Sequence, residues 1–169
     1  MSTAVDNIQA QFRRGVRRWT APLALLALLT AAAPAWAQSG EKFDVSVWAI
    51  RATKGDSEID PELKSIARQL QAQFKVTGFK VVAKRNGTVG KGETFSADLT
   101  GRFKARLTPL NRDGKRVQMK VEILEREGRE EKQRLGTTVT IDSGRFNLQG
   151  GWKLGGKGDD ILIVATSGR

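Results

Sequence analysis

The chain has 169 residues, a formal net charge of +11 at pH 7, and no cysteine, histidine or tyrosine. Disulfide bonds, thiolate or imidazole metal ligands, and Ser-His or Cys-His nucleophile pairs therefore cannot be built from it. Acid–base catalysis would fall to carboxylates or lysines with shifted pKa values, so we predict a protein that is not an enzyme and that uses no metal or cofactor.

The amino-terminal segment has the three parts of an export signal. Four arginines between Arg13 and Arg18 precede an apolar stretch over 21–33, and Ala35-Trp36-Ala37 places small residues where a signal peptidase cleaves. The apolar stretch is too short to span a membrane, which takes about 20 residues. We predict a cleavable signal peptide over 1–37, with an uncleaved anchor as the alternative. The rest, 38–169, is predicted to be a single soluble domain, exported to the periplasm or secreted.

A strand and a helix are the first elements predicted in this domain. Apolar residues on both faces of 43–50 predict a central strand. Asp60-Pro61-Glu62 predicts a helix start, because aspartate caps the free amides and proline suits the first helical position. An apolar stripe from Leu63 to Phe74 extends this helix over about 15 residues, to Gly78, and predicts that it packs on a sheet.

The remaining chain predicts strands separated by turns. The predicted strands are 79–84, 94–99, 102–107, 116–123, 135–141, 145–148 and 161–165. Asn86-Gly87 and 111–114 predict turns, Pro109 predicts the end of a strand, and the charged run 125–132 predicts a solvated turn. The last strand is apolar on both faces, which places it centrally beside the first strand.

Together these elements predict an α+β fold. One helix in the amino-terminal half packs on a mainly antiparallel β-sheet, in the order β-α-β followed by a β-meander.

A basic sheet face is the candidate binding site. Basic and apolar residues alternate along the hairpin 102–123, so its basic residues share one face. The candidates are Arg102, Lys104, Arg106, Arg116 and Lys120, joined by Lys80 and Lys84 if their strand lies alongside. Clustered like charges destabilise a sheet, and an anionic partner such as lipopolysaccharide or an acidic glycan would offset this. The alternative is an ordinary solvated face whose charges are screened by neighbouring acids.

Other motifs carry less chemistry. Nucleic acid is not an expected partner, because no aromatic residues alternate with the basic ones on that face. The glycine-rich segment 150–158 lacks the order of a phosphate-binding loop, and Trp152 within it is expected to cover one end of the core. Asp56, Glu58 and Asp60 alternate like calcium ligands, but the glycine and glutamate that complete such a loop are not in register.

The function predicted from these patterns is binding. We predict an exported, non-enzymatic accessory protein that is a component of a cell-envelope assembly, with envelope proteins as partners. The alternative is a dedicated binder of anionic envelope polymers that acts through the basic face.

Overall fold

The computed structural model describes residues 40–155 and 158–169, so the predicted signal peptide over 1–37 lies outside it. In chain order the elements are β1 (Lys42–Thr53), a 3-10 turn (Pro61–Leu63), α1 (Ala67–Phe74), β2 (Gly78–Gly90), β3 (Phe95–Asp98), β4 (Phe103–Asp113), β5 (Arg116–Glu127), β6 (Glu130–Asp142), β7 (Asn147–Lys153) and β8 (Ile161–Gly168). Within the described ranges, no helix has the length and apolar character needed to cross a membrane.

The strands form two four-stranded antiparallel sheets. Sheet 1 has the order β2-β1-β8-β7 and sheet 2 the order β3-β4-β5-β6. The prediction of mainly antiparallel strands with one helix is confirmed, whereas the prediction of a single sheet is wrong. β1 and β2 flank the helix in sequence and pair antiparallel with each other, and β3 to β6 form a meander that makes up all of sheet 2.

Sheet 1 is central because its middle strands are apolar on both faces. Val47 of β1 points into an inner core between the two sheets, where Leu107 and Met119 of sheet 2 meet it. Ile50 and Ile163 point the other way, into an outer core beneath α1. β1 also pairs with β8, as predicted. Sheet 2 has one apolar face, so its other face is left to polar residues.

The helix is shorter than predicted. Asp60 caps a single 3-10 turn, since its carboxylate accepts a hydrogen bond from the Glu62 amide at 3.1 Å. The regular helix begins only at Ala67 and ends at Lys75, whose φ of 52° is left-handed, rather than at Gly78. Gly78 instead begins β2, where a Cβ would lie 2.7 Å from the Asp56 carbonyl oxygen. A helix this short covers only part of the outer face of sheet 1.

Asn86-Gly87 is not a turn, contrary to the prediction. β2 continues through it to Gly90, and Gly87 lies opposite Val45 in the ladder. The Phe95 ring occupies the space that a Cβ at Gly87 would need, so glycine here serves close packing. The chain reverses at Gly92, which has a φ of 79°.

The predicted hairpin of β4 and β5 is confirmed, but β4 does not end at Pro109. The strand continues to Asp113 with a bulge after Pro109. The Pro109 carbonyl accepts a hydrogen bond from the Gly92 amide at 2.7 Å, on the side away from β5. The N–H and C=O of one strand residue point to the same side, so the donor that proline lacks is not needed by the β4–β5 ladder.

Candidate functional site

The basic residues of the hairpin lie beside acids on the outer face of sheet 2. Lys104 Nζ lies 2.7 Å from Glu131 Oε1, and Arg106 Nη2 lies 3.0 Å from Glu131 Oε2. Lys120 Nζ lies 3.0 Å from Glu122 Oε1. Lys104, Arg106 and Lys120 share one face of the hairpin, and the same face also brings acids to them.

The other two hairpin candidates also have acidic partners. Arg116 Nη2 lies 3.6 Å from Asp113 Oδ2 at the hairpin turn, and Arg102 forms an ion pair with Glu125. The strand registers add a further acid, since Asp98 of β3 lies directly opposite Lys104. The hairpin face is thus one of mixed charge, and anion binding there stays a prediction.

Lys80 and Lys84 do not extend this face, because β2 belongs to sheet 1. They also point to opposite sides of that sheet: Lys80 lies opposite Arg51, and Lys84 lies opposite Trp48. The cause is a bulge at Val82, which shifts the alternation of β2 by one residue. The sequence pattern of two lysines four residues apart gives no sign of this bulge.

Glu131 forms ion pairs with two of the predicted cations, Lys104 and Arg106. Its pKa is lowered, chiefly because Lys104 donates a hydrogen bond to its carboxylate, with Arg106 adding a favourable charge. A carboxyl with a lowered folded-state pKa stabilises the fold above its unfolded pKa, and this contribution is lost as the pH falls through the folded value.

We expect Lys104→Met to raise the pKa of Glu131 toward the usual value for glutamate, because the hydrogen bond and the nearest charge are both removed. Carboxyl-carbon NMR titration of the two proteins measures this shift directly. Lys115→Met is the control. It removes an exposed lysine that is not a partner of Glu131, so the midpoint of the Glu131 titration should stay unchanged. A Glu131 midpoint unmoved by Lys104→Met would contradict the pairing.

The charged run 125–132 was predicted to be a solvated turn, but 125–127 belong to β5 and 130–132 belong to β6. β5 continues through Glu125, whose residue exposure is 3%. Its carboxylate pairs with Arg102 and with Arg134 of β6, and Arg134 also lies 2.6 Å from Glu127. The turn itself is the two-residue connection Gly128-Arg129. The ion pairs of Glu125 with Arg102 and Arg134 link the β5–β6 hairpin to the start of β4.

A groove on the outer face of sheet 1 is the site that the sequence analysis missed. It lies at the end of the face that α1 leaves open and has a volume of about 520 Å³. Its main lining side chains come from β1, β2, the end of β8 and the loop before β7. They are Asp44, Ser46, Trp48, Lys84, Asn86, Thr88, Phe146 and Arg169.

The floor of the groove is a ladder of three directly opposed pairs of β1 and β2 residues. Thr88 donates a hydrogen bond to Asp44 Oδ1 at 2.7 Å, and Ser46 donates to Asn86 Oδ1 at 2.6 Å. The third pair is Trp48 with Lys84. Alternate residues along a strand are about 6.6 Å apart, so the pairs form evenly spaced steps.

Aromatic rings form one end of the groove. The Trp48 and Phe146 rings lie 4.8 Å apart between centroids, and Lys84 Nζ lies 4.3 Å from the centre of the Trp48 ring. Trp48 Nε1 donates a hydrogen bond to Ser46 Oγ at 3.0 Å, which fixes the indole against the polar ladder. Lys84 is also held by Glu62, 3.4 Å away. The aromatic end is therefore oriented before any ligand arrives.

An ion pair forms the opposite end of the groove. Arg169 Nε lies 3.3 Å from Asp44 Oδ2, and the two residues also exchange backbone hydrogen bonds of 2.9 and 3.0 Å. The pKa of Asp44 is lowered, first by the hydrogen bond from Thr88 and then by that from Arg169. Asp44 is thus an ionised acceptor at neutral pH.

The signal that could have revealed the groove is a change of polarity along one strand face. The β1 residues that share the outer face read Asp44, Ser46, Trp48, Ile50 and Ala52, from polar to apolar. The apolar end lies in the outer core beneath α1, and the polar end does not. The prediction of a turn at Asn86-Gly87 left unrecognised that the polar β2 residues lie directly opposite the polar β1 residues.

The remaining motifs are explained by the fold. Asp60 serves as the helix cap and its second carboxylate oxygen accepts from the Val81 amide, so it is not arranged as a calcium ligand. Across residues 40–155 and 158–169, no group of three or more acidic side chains is placed to hold a metal ion. Trp152 packs against the inner core, 6.4 Å from the Phe103 ring, as expected.

The chain shows little similarity to known proteins. No protein-family model matches the chain, and no curated protein matches it either. Among solved structures it is similar to the type II secretion system secretin XcpQ from Pseudomonas aeruginosa, determined by cryo-electron microscopy. That match has 6% sequence identity and a TM-score of 0.31, and it covers 75% of this chain but 55% of the secretin chain. A likeness at this level supports no functional argument.

Proposed function

We propose that this protein is an exported, non-catalytic binding protein of the cell envelope, and that its groove holds a glycan chain. Three observations support the proposal: the export pattern over 1–37, the absence of histidine, cysteine and tyrosine from the sequence, and the groove itself. The groove carries most of the weight, because it joins an aromatic end to a ladder of hydrogen-bonding side chains.

The chemistry of the groove favours a sugar over an apolar ligand. Hydroxyl, amide and carboxylate groups line one part of it, and each of them can exchange hydrogen bonds with a sugar hydroxyl. Aromatic rings supply flat apolar surface beside those polar groups, which suits the mixed polar and apolar faces of a sugar ring. A purely apolar ligand would cover the Asn86 amide N–H groups without offering them an acceptor.

The ladder is organised in advance of binding. Ser46 accepts from Trp48 and donates to Asn86 Oδ1, so the two N–H groups of the Asn86 amide remain as donors among the described residues. Asp44 is likewise held by Thr88 and Arg169. Side chains fixed by their neighbours lose less conformational entropy when a ligand binds.

The ligand in this proposal belongs to the envelope, where the export signal directs the protein. An accessory role in an envelope assembly follows if the groove attaches the protein to a glycan there. Binding through the hairpin is less favoured, because its cations already have acidic partners within 4 Å.

We expect soluble oligosaccharides from the bacterial envelope, such as a muropeptide disaccharide or deacylated lipopolysaccharide core, to shift the Trp48 indole N–H signal in 15N NMR titrations. Trp48→Ala should weaken binding tenfold or more, as aromatic anchors of binding sites commonly do. Asn86→Ala tests the ladder without touching the aromatic end. Thr140→Ala, on the outer face of sheet 2, is the matched control and should bind normally. Saturable binding that leaves the groove signals unmoved would refute the proposal.

A further inference from the structure

The edges of the two sheets differ in how they are protected from pairing with another chain. The four edge strands of the described fold are β2, β7, β3 and β6. β2 carries Lys80, Lys84 and Arg85 and a bulge at Val82. β7 has a bulge after Gly150, and β3 has only four residues. Charges, bulges and short length are the devices that keep edge strands from pairing.

β6 lacks these devices over its second half. From Leu135 to Ile141 it contains leucine, glycine, three threonines, valine and isoleucine, with no charge and no proline. The bulge of β6 lies before this segment, where Ile123 pairs with Leu135 and Leu124 pairs with Gln133. The segment is therefore a regular, neutral strand with one side of its backbone unpaired in sheet 2.

The side chains of this segment are also incompletely covered. Leu135, Thr137 and Val139 point toward the inner core but are half-buried, whereas the corresponding β5 residues, Ile123, Val121 and Met119, are fully buried. A further strand added beside β6 would cover them. The structure thus offers both unpaired backbone and apolar surface at the same edge.

We infer that this edge pairs with the same edge of a second copy of the chain, antiparallel and centred on Thr138. In antiparallel pairing centred on Thr138, Leu135 of one copy lies opposite Ile141 of the other. We expect this register because the half-buried Leu135 gains an apolar neighbour and the inner core is extended across the junction.

The contact is short, so the dimer is weak. Seven residues a side bury far less surface than a stable interface of about 1,600 Å². We therefore expect a monomer–dimer equilibrium that sedimentation velocity resolves as the protein concentration rises. The two grooves on sheet 1 are left open in such a dimer, so its failure would leave the glycan proposal standing.

Single cysteines test the geometry directly, because the chain has none of its own. Thr138→Cys should form an intermolecular disulfide under mild oxidation, since directly opposed residues of an antiparallel pair lie within disulfide reach. Gln118→Cys is the matched control: it is exposed on the same face of sheet 2 but lies one strand inward, opposite Thr140. It should not crosslink.

Thr138→Lys places two like charges at the centre of the pairing and should weaken the dimer at least tenfold in sedimentation experiments. Gln118→Lys adds the same charge on β5 and should leave dimerisation unchanged. Crosslinking at both cysteine positions alike, or a monomer at every concentration, would overturn the inference. So would a monomer that captures an added peptide at β6, since the edge would then serve a different partner.

Discussion

Replacing Arg102 and Arg134 together with methionine is expected to lower the free energy of unfolding by about 3–5 kcal/mol. Glu125 is 3% exposed, and both arginines pair with its carboxylate. Methionine preserves much of the side-chain volume but removes the charge, so a buried carboxylate is left without its compensating cations. Urea denaturation followed by tryptophan fluorescence measures the loss.

A third substitution separates this charge effect from a loss of packing. Glu125→Leu in the same double variant removes the uncompensated charge, and most of the lost stability should return. Arg116→Met is the surface control: its ion pair with Asp113 is well exposed, so the expected cost is at most about 1 kcal/mol. A triple variant as unstable as the double would show that the arginines act through packing instead.

Leu70→Ala is expected to cost about 2–5 kcal/mol of stability. Leu70 is the fully buried residue of α1 and lies in the outer core with Ile50 and Ile163. An eight-residue helix is too short to persist in water by itself, so its attachment to sheet 1 depends on this side chain. Chemical denaturation of the variant provides the value.

The neighbouring position supplies the control for the helix. Gln69→Ala changes an exposed residue of the same helix and should alter stability by less than about 0.5 kcal/mol. Equal effects at positions 69 and 70 would contradict the packing of α1 on the outer core.

Strand pattern predicted the fold better than turn chemistry did. The alternation in β4 and β5, and the doubly apolar β1 and β8, are local consequences of burial and appear directly in the sequence. The predictions made from Asn86-Gly87 and Pro109 were wrong because tertiary contacts, and not the local sequence, determine the backbone conformation at these positions. Gly87 packs against Phe95 of another strand, and Pro109 sits where the ladder does not need its donor.

The candidate site was harder to predict than the fold. Sequence placed the hairpin cations on one face, but Glu131, which pairs with Lys104 and Arg106, comes from β6 through a register that no local pattern contains. The second sheet was equally hidden, because alternation shows which face of a strand is buried but not which strands pair with each other. The groove depends on the polar β2 residues Lys84, Asn86 and Thr88, and the prediction of a turn at Asn86-Gly87 excluded them from a strand.

The most direct test of the groove is the affinity of deacylated lipopolysaccharide core for two variants, measured by isothermal titration calorimetry. One variant, Trp48→Ala with Asn86→Ala, alters the groove; the other, Lys104→Gln with Arg106→Gln, removes two charges from the hairpin face. We predict a loss of affinity of tenfold or more in the groove variant, unchanged affinity in the hairpin variant, and weak dependence on salt. The reverse pattern, with affinity lost at the hairpin and falling steeply with salt, would contradict the account.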